Sequence, residues 1–168
     1  MLPLAGWHDD RVIVVERSSR VDRPAAEVWG RVTTPEGIRH ELMPIMSMTM
    51  PPGLRGRTLE DAPQVLHRPL GKAWLLLFGV LPVGFDDMTL VGFEPGRYFH
   101  EVSRIALLPR WEHERRVSPD GAAACLVHDR LTFEPRLARL PGVRRLVAAV
   151  VGALFSHRHR RLARWAAR

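Results

Sequence analysis

Cysteine is almost absent from this chain of 168 residues: Cys125 is alone, so no internal disulfide can form, which suits a reducing cytoplasm. Lysine is equally scarce, since Lys72 is the one non-arginine among 25 basic residues. That skew is the pattern of a GC-rich bacterial coding background, and it lowers the weight of arginine as a sign of nucleic-acid binding. Acid is missing altogether from residues 136–168, which carry nine arginines, whereas residues 1–135 hold 16 basic and 18 acidic side chains. The formal net charge of +7 therefore belongs to the last fifth of the sequence. No uncharged apolar run approaches the roughly 20 residues of a membrane span. The N-terminus lacks a basic leader and a long hydrophobic core, so no signal peptide is expected and the location predicted is cytoplasmic. Gly-x-Ser-x-Gly, a phosphate-binding glycine loop and zinc-type Cys/His spacing are all missing. His157 and His159 sit two apart on a predicted helix and diverge by about 200°. Neither a metal nor a cofactor is expected.

What is present is one globular domain: 46% of the residues are hydrophobic, enough for a real core. Residues 1–10 read as a leader and residues 11–168 as the domain. Alternation predicts a strand over Arg11–Val21. Pro24 then opens a short helix, and Thr34-Pro35 caps a second that ends near Pro44. Ile45–Met50 reads as a strand. Residues 51–71 hold too many prolines and glycines for a long element and suggest the rim of a pocket. Lys72–Gly79 is strand or helix, stopped by Pro82. Strands follow at Phe85–Phe93, Arg97–Leu107, Arg110–Ser118 and Ala123–Glu134, joined by short turns as an antiparallel meander. Pro141 is taken as a first-turn proline, and from Val143 about 26 residues run on as a helix of roughly 39 Å with one broad apolar stripe.

The opening Glu16-Arg17-Ser18-Ser19-Arg20-Val21-Asp22-Arg23-Pro24-Ala25-Ala26-Glu27-Val28-Trp29 resembles the first strand and helix of the START-like, or SRPBCC, superfamily. Trp111-Glu112-His113-Glu114, the strand Asp129-Arg130-Leu131-Thr132-Phe133, and Phe155 and Arg158 are similar to its polyketide cyclase/dehydrase-like branch. The resemblance spans about residues 11–165. It implies an α+β helix-grip fold, in which a curved antiparallel sheet of about seven strands wraps a long C-terminal helix, with two short helices after the first strand. It also implies an internal cavity for lipids, polyketides or other hydrophobic molecules.

Strand alternation sorts polar residues by face. His113 and Arg115 share the inward face of their strand with Trp111, and Asp129 shares its own with Val127 and Leu131. Pairing across the turns sets Trp111 near Asp129, His113 near Ser103 and Glu101 near Arg115. The resulting cluster, Glu101, His113, Arg115 and Asp129, supports a buried ion-pair network, a ligand-orienting site or acid–base catalysis by His113. Trp29, Met43, Met46, Trp74, Phe78, Phe99, Trp111, Val147, Val151 and Leu154 are the candidate ligand contacts, around a cavity opening near residues 51–71 and the 24–43 helices. Cys125 reads as a small core residue.

The preferred function is binding of a hydrophobic small molecule. One alternative is a cyclase/dehydratase-type enzyme using His113. The second is attachment to an anionic membrane or nucleic-acid surface through the arginines from Arg158 to Arg168, whose plainer role is to complement the helix dipole as a solvated basic face. The partner expected is a small molecule rather than nucleic acid, with peripheral membrane contact disfavoured, in a monomer or homodimer.

Overall fold

Alternation builds the first strand, β1 (Ile13–Val21), whose Val14, Glu16, Ser18 and Arg20 are exposed while Val21 is buried. A computed structural model describes residues 11–56, 58–60 and 66–168. The leader at residues 1–10 and the centre of the 51–71 stretch lie outside these. Pro24 opens α1 (Ala25–Val32), which buries Val28, Trp29 and Val32. Thr34 caps α2 (Pro35–Leu42): its hydroxyl accepts from the Gly37 N–H at 3.1 Å, and Pro35 fills the first helical position. Then come β2 (Met46–Met48) and a single 3-10 turn at Pro52–Leu54.

The ambiguous 72–79 stretch is strand: β3 (Pro69–Leu77) turns at Phe78-Gly79-Val80 into β4 (Leu81–Glu94). Pro82 does not stop an element but pairs with Leu76 inside this hairpin. The remaining strands are β5 (Tyr98–Ile105), β6 (Leu108–Pro119) and β7 (Cys125–Glu134). All seven form one antiparallel sheet in the order β1-β7-β6-β5-β4-β3-β2. Irregularities in pairing at Leu75/Leu76, Leu90/Gly92 and Ser103/Ile105 interrupt its regular ladder.

The sheet wraps α3 (Val143–Ala166). Its 24 residues give a length of about 36 Å. Pro141 lies before the helix rather than in its first turn. Gly142 occupies the N-cap at φ 79°, a left-handed conformation that glycine adopts without strain. Gly152, the one glycine inside the helix, is explained by close approach. A Cβ there would stand 3.1 Å from the Arg17 guanidinium, whose Nε donates to Ser156 at 2.9 Å. The fold is the predicted α+β helix grip.

Two apolar clusters form the core. One joins Val21, Val28, Trp29, Phe99, Val127 and Leu162; the other joins Trp111, Leu131, Phe133, Val151 and Phe155. Cys125 belongs to the first and is fully buried, and burial, with Asp120 nearby, pushes its thiol pKa up. It is expected to resist a thiol-specific colorimetric reagent in native buffer and to react at once in concentrated urea. Prompt labelling of native protein would contradict this burial.

A polar track along an apolar cavity

The strands that alternate most strictly carry the polar cluster. On β6 the buried positions are Trp111, His113, Arg115 and Val117, and on β7 Asp129 lies between buried Val127 and Leu131. Registers differ from expectation by even steps. Glu101 pairs with His113, Arg115 with Asp129, and Trp111 with Phe133 rather than Asp129, while Ser103 faces Trp111 rather than His113. An even step keeps every side chain on its face, so the four residues still meet.

Arg115 is the centre. Its Nε and Nη2 donate to the two oxygens of Asp129 at 2.7 Å each, and its Nη1 donates to both oxygens of Glu41 at 3.0 Å. Arg115 and Asp129 are wholly buried and Glu41 is 1% exposed. Burial alone would raise the Asp129 carboxyl, but the Arg115 guanidinium, and then His113, hold it well below the usual carboxylate range. Asp129 also meets His113 Nε2 and His159 Nε2, each at 2.8 Å. His159 reaches Ser19 through Nδ1 at 2.7 Å, and Arg158 Nε donates to Glu41 at 3.1 Å. Isolated charges here would cost several kcal/mol each, so the network persists because every member has a partner.

His113 stands between two carboxylates, with Nδ1 3.5 Å from Glu101 and Nε2 on Asp129. Burial disfavours its cationic form, but Asp129 and Glu101 outweigh burial and raise its pKa. Phe99 and Phe155 meet the ring edge-on at 5.2 and 5.1 Å.

Between sheet and α3 lies a cavity of about 500 Å³. Its wall is apolar except for Thr33, Arg136 just after β7, and a strip containing Asp86, Glu101, His113 and Arg158. Asp86 is 4% exposed, and its Oδ1 is buried without a well-formed hydrogen bond, with Ser103 as its hydroxyl neighbour on β5. Burial, and then the charge of Glu101, push the Asp86 carboxyl up to about 7. From β4 to β7, Asp86, Ser103, Glu101, His113 and Asp129 form a polar track running diagonally across four strands.

Of the candidate contacts, Met46, Phe99, Trp111, Val147, Val151 and Leu154 line the cavity. Four do not. Trp29 is buried behind Phe99, ring centroids 6.4 Å apart, with its indole N–H donating to Glu60. Met43 rests its thioether against Gly79 and offers its carbonyl to His157 Nε2 at 3.0 Å. Trp74 is half exposed and packs on Phe85. Phe78 is 65% exposed at the β3–β4 turn. Trp74 and Phe78 face outward because the β3–β4 hairpin, not a helix, carries them.

Among the described residues, the cavity lining is most exposed away from the 51–71 stretch and the 24–43 helices. The most exposed lining residues are Leu107, Leu146, Val150 and Leu137, at the β5–β6 turn and around the start of α3. Pro51, Leu54 and Leu59 are buried at the other end of the cavity. The presumed basic face of α3 is broken too: Arg158 is buried on Glu41, and Arg161 donates to the His40 carbonyl at 3.1 Å. Sequence reasoning missed Asp86 and Glu41 and assigned Arg158 to solvent. Asp86 carried a signal, since it alternates inward with Met88 and Leu90. Glu41 carried none, because its partner is 74 residues away. Among the described residues, no group of three or more His, Cys, Asp or Glu is placed to hold a metal ion, and no helix is long and apolar enough to cross a membrane.

Solved structures share this architecture. A putative uncharacterized protein from Bacillus thuringiensis superposes with a TM-score of 0.66 at 14% identity, over 93% of this chain and 100% of that one. A START superfamily protein from Mycobacterium smegmatis does so at 0.57 and 13%, over 89% and 94%. The Zhui aromatase/cyclase from Streptomyces sp. R1128 gives 0.62 and 15%, over 94% of each chain. At these identities the likeness is one of fold, the START-like helix grip. No curated protein is similar in sequence. The family described as "Domain of unknown function (DUF8410)" matches residues 19–166, from the end of β1 through α3, and the chain belongs to that family.

Proposed function

We propose that the protein binds a hydrophobic small molecule in the cavity between sheet and α3. The observation that carries this is the open apolar cavity of about 500 Å³, large enough for a drug-sized or lipid-sized ligand. Met46, Met48 and Met50 give its wall adaptable side chains, while Phe99, Trp111 and Phe155 give it rigid ones. The fold it shares with a START superfamily protein and an aromatase/cyclase supports the same reading.

Binding is favoured over catalysis by His113. Both ring nitrogens already face carboxylates, so neither is free to take a substrate proton, and the imidazole serves to brace the polar track. Binding is also favoured over surface attachment through α3, because Arg158 and Arg161 are committed to internal partners.

Thermal shift across fatty acids, aromatic polyketides and terpenoids is the direct test; a shift of several degrees is expected for at least one class. Val147→Trp, which places an indole in the cavity, is expected to weaken the ligand found by about tenfold or more, a loss of ~1.4 kcal/mol, with circular dichroism unchanged. Full affinity in Val147→Trp would place binding elsewhere.

A further inference from the structure

We propose that the cavity is selective for an amphiphile bearing a basic amine, with its ammonium group held by Asp86 beside Glu101 and its apolar body along α3. The inference rests on the cavity-binding reading above and names the ligand's chemistry.

The geometry comes first. Asp86 is more than nine-tenths buried, lines the cavity, and has an oxygen without a well-formed hydrogen bond in the protein. Buried polar atoms are rarely left unpaired, and an unpaired oxygen on a residue that lines a cavity marks a place for a ligand's polar atom. Ser103 on β5, whose hydroxyl interacts with the Asp86 carboxyl and offsets part of its pKa rise, does not itself line the cavity, so Asp86 is the group a ligand meets.

Charge balance supplies the sign. Arg115 and Arg158 balance Glu41 and Asp129, to which they are directly bonded. His113, with its raised pKa, balances Glu101. Asp86 is left over. The groups facing it are Glu101 of β5 and His113 of β6; Asp87 adjoins it on β4, and Arg158 of α3 is already held by Glu41. The strip is therefore one cation short, a deficit that a proton fills below about pH 7. An ammonium group fills it better, because it brings several donors as well as charge. A neutral alcohol brings one donor and no charge, and a carboxylate would add a second negative charge to an acidic strip.

The site has a pH signature. Amine binding must displace the Asp86 proton, so affinity rises with pH between about 5.5 and 8, where an alkylamine itself remains charged. An acceptor ligand reading the protonated acid would show the reverse slope.

The test compares decylamine with 1-decanol by isothermal titration at pH 5.5 and pH 8, on the full chain and on Asp86→Asn. At pH 8 decylamine is expected to bind about tenfold or more tightly than decanol, the scale of a charge-assisted hydrogen bond. At pH 5.5 the gap should narrow. In Asp86→Asn the ratio of the two affinities should fall to about one at both pH values. Equal binding by the two probes in the unmodified protein overturns the inference while leaving the cavity reading intact. An amine preference that survives in Asp86→Asn overturns it as well. Failure of both probes to bind overturns the inference, and the cavity reading is then decided by the thermal-shift comparison of ligand classes.

Discussion

Arg115→Ala is expected to lose about 3–5 kcal/mol of stability in urea denaturation, enough to leave the variant largely unfolded at physiological temperature. The cost does not come from the hydrogen bonds alone. Removing the guanidinium leaves Asp129 with only His113 and His159, and Glu41 with only Arg158, in a region where neither carboxylate reaches water. Each would then have to take up a proton or draw in solvent. Arg115→Lys tests the geometry separately from the charge. An ammonium cannot pair two nitrogens with the two Asp129 oxygens while a third reaches Glu41, so an intermediate loss of about 1–3 kcal/mol is expected. A loss below about 1 kcal/mol in Arg115→Ala would mean that water reaches the network and that burial here is incomplete.

Asp86→Asn works in the opposite direction: it should stabilise the protein, by about 2–4 kcal/mol at pH 8 and by almost nothing at pH 4. A carboxyl carried from 3.8 in the unfolded chain to about 7 in the fold binds its proton more tightly when folded. Stability is therefore highest while both states are protonated, falls as pH rises past 3.8, and levels off above about 7. The full displacement corresponds to roughly 4 kcal/mol, part of which belongs to Glu101 through mutual repulsion. Asparagine keeps the shape and removes the charge. His113 adds a slope of the same sign, since its raised pKa gives stability that is present below the ordinary histidine value and lost as pH climbs through the folded one. Denaturation at pH 4, 6 and 8 should show the unmodified protein weakening toward alkaline pH and Asp86→Asn weakening less. Equal slopes would show Asp86 to be ionised at no cost. A residue that lowers stability where it stands, beside a cavity and with an oxygen unpaired, is explained by what it binds rather than by what it supports.

The fold was legible because its periodicities are clean. In β6 every second residue from Arg110 to Arg116 is charged, and the alternate ones, Trp111, His113, Arg115 and Val117, are buried. Parity alone brought the inward charges together, although the pairings were displaced. The Ser103/Ile105 irregularity and the early start of β6 at Leu108 set the register, and neither is visible as a pattern in the residues. The opposite ends of the network were not legible. Glu41 sits on a helix of eight residues with a polar sequence, and Arg158 lies in an arginine-rich stretch that reads as solvated. Their burial follows from how α2 and α3 pack together, a long-range contact. Trp74 and Phe78 lie outside the cavity lining for a related reason: aromatic content marks surfaces that pack, without saying which side of a sheet faces in.

The pairing of β1 with β7 carries a kinetic consequence. Ile13 lies opposite Phe133 and Val21 opposite Cys125, so the first strand of the sheet finds its only neighbour among the described residues more than a hundred residues later. The β3 to β7 meander can zip from local turns, but β1 must wait for the last strand to be in place. The entropy of closing that loop is spent before the contact returns anything. Until then the face of β7 that will hold Ser19 and His159 around Asp129 stands open at a sheet edge. The buried charge network is thus among the last parts of the molecule to be sealed.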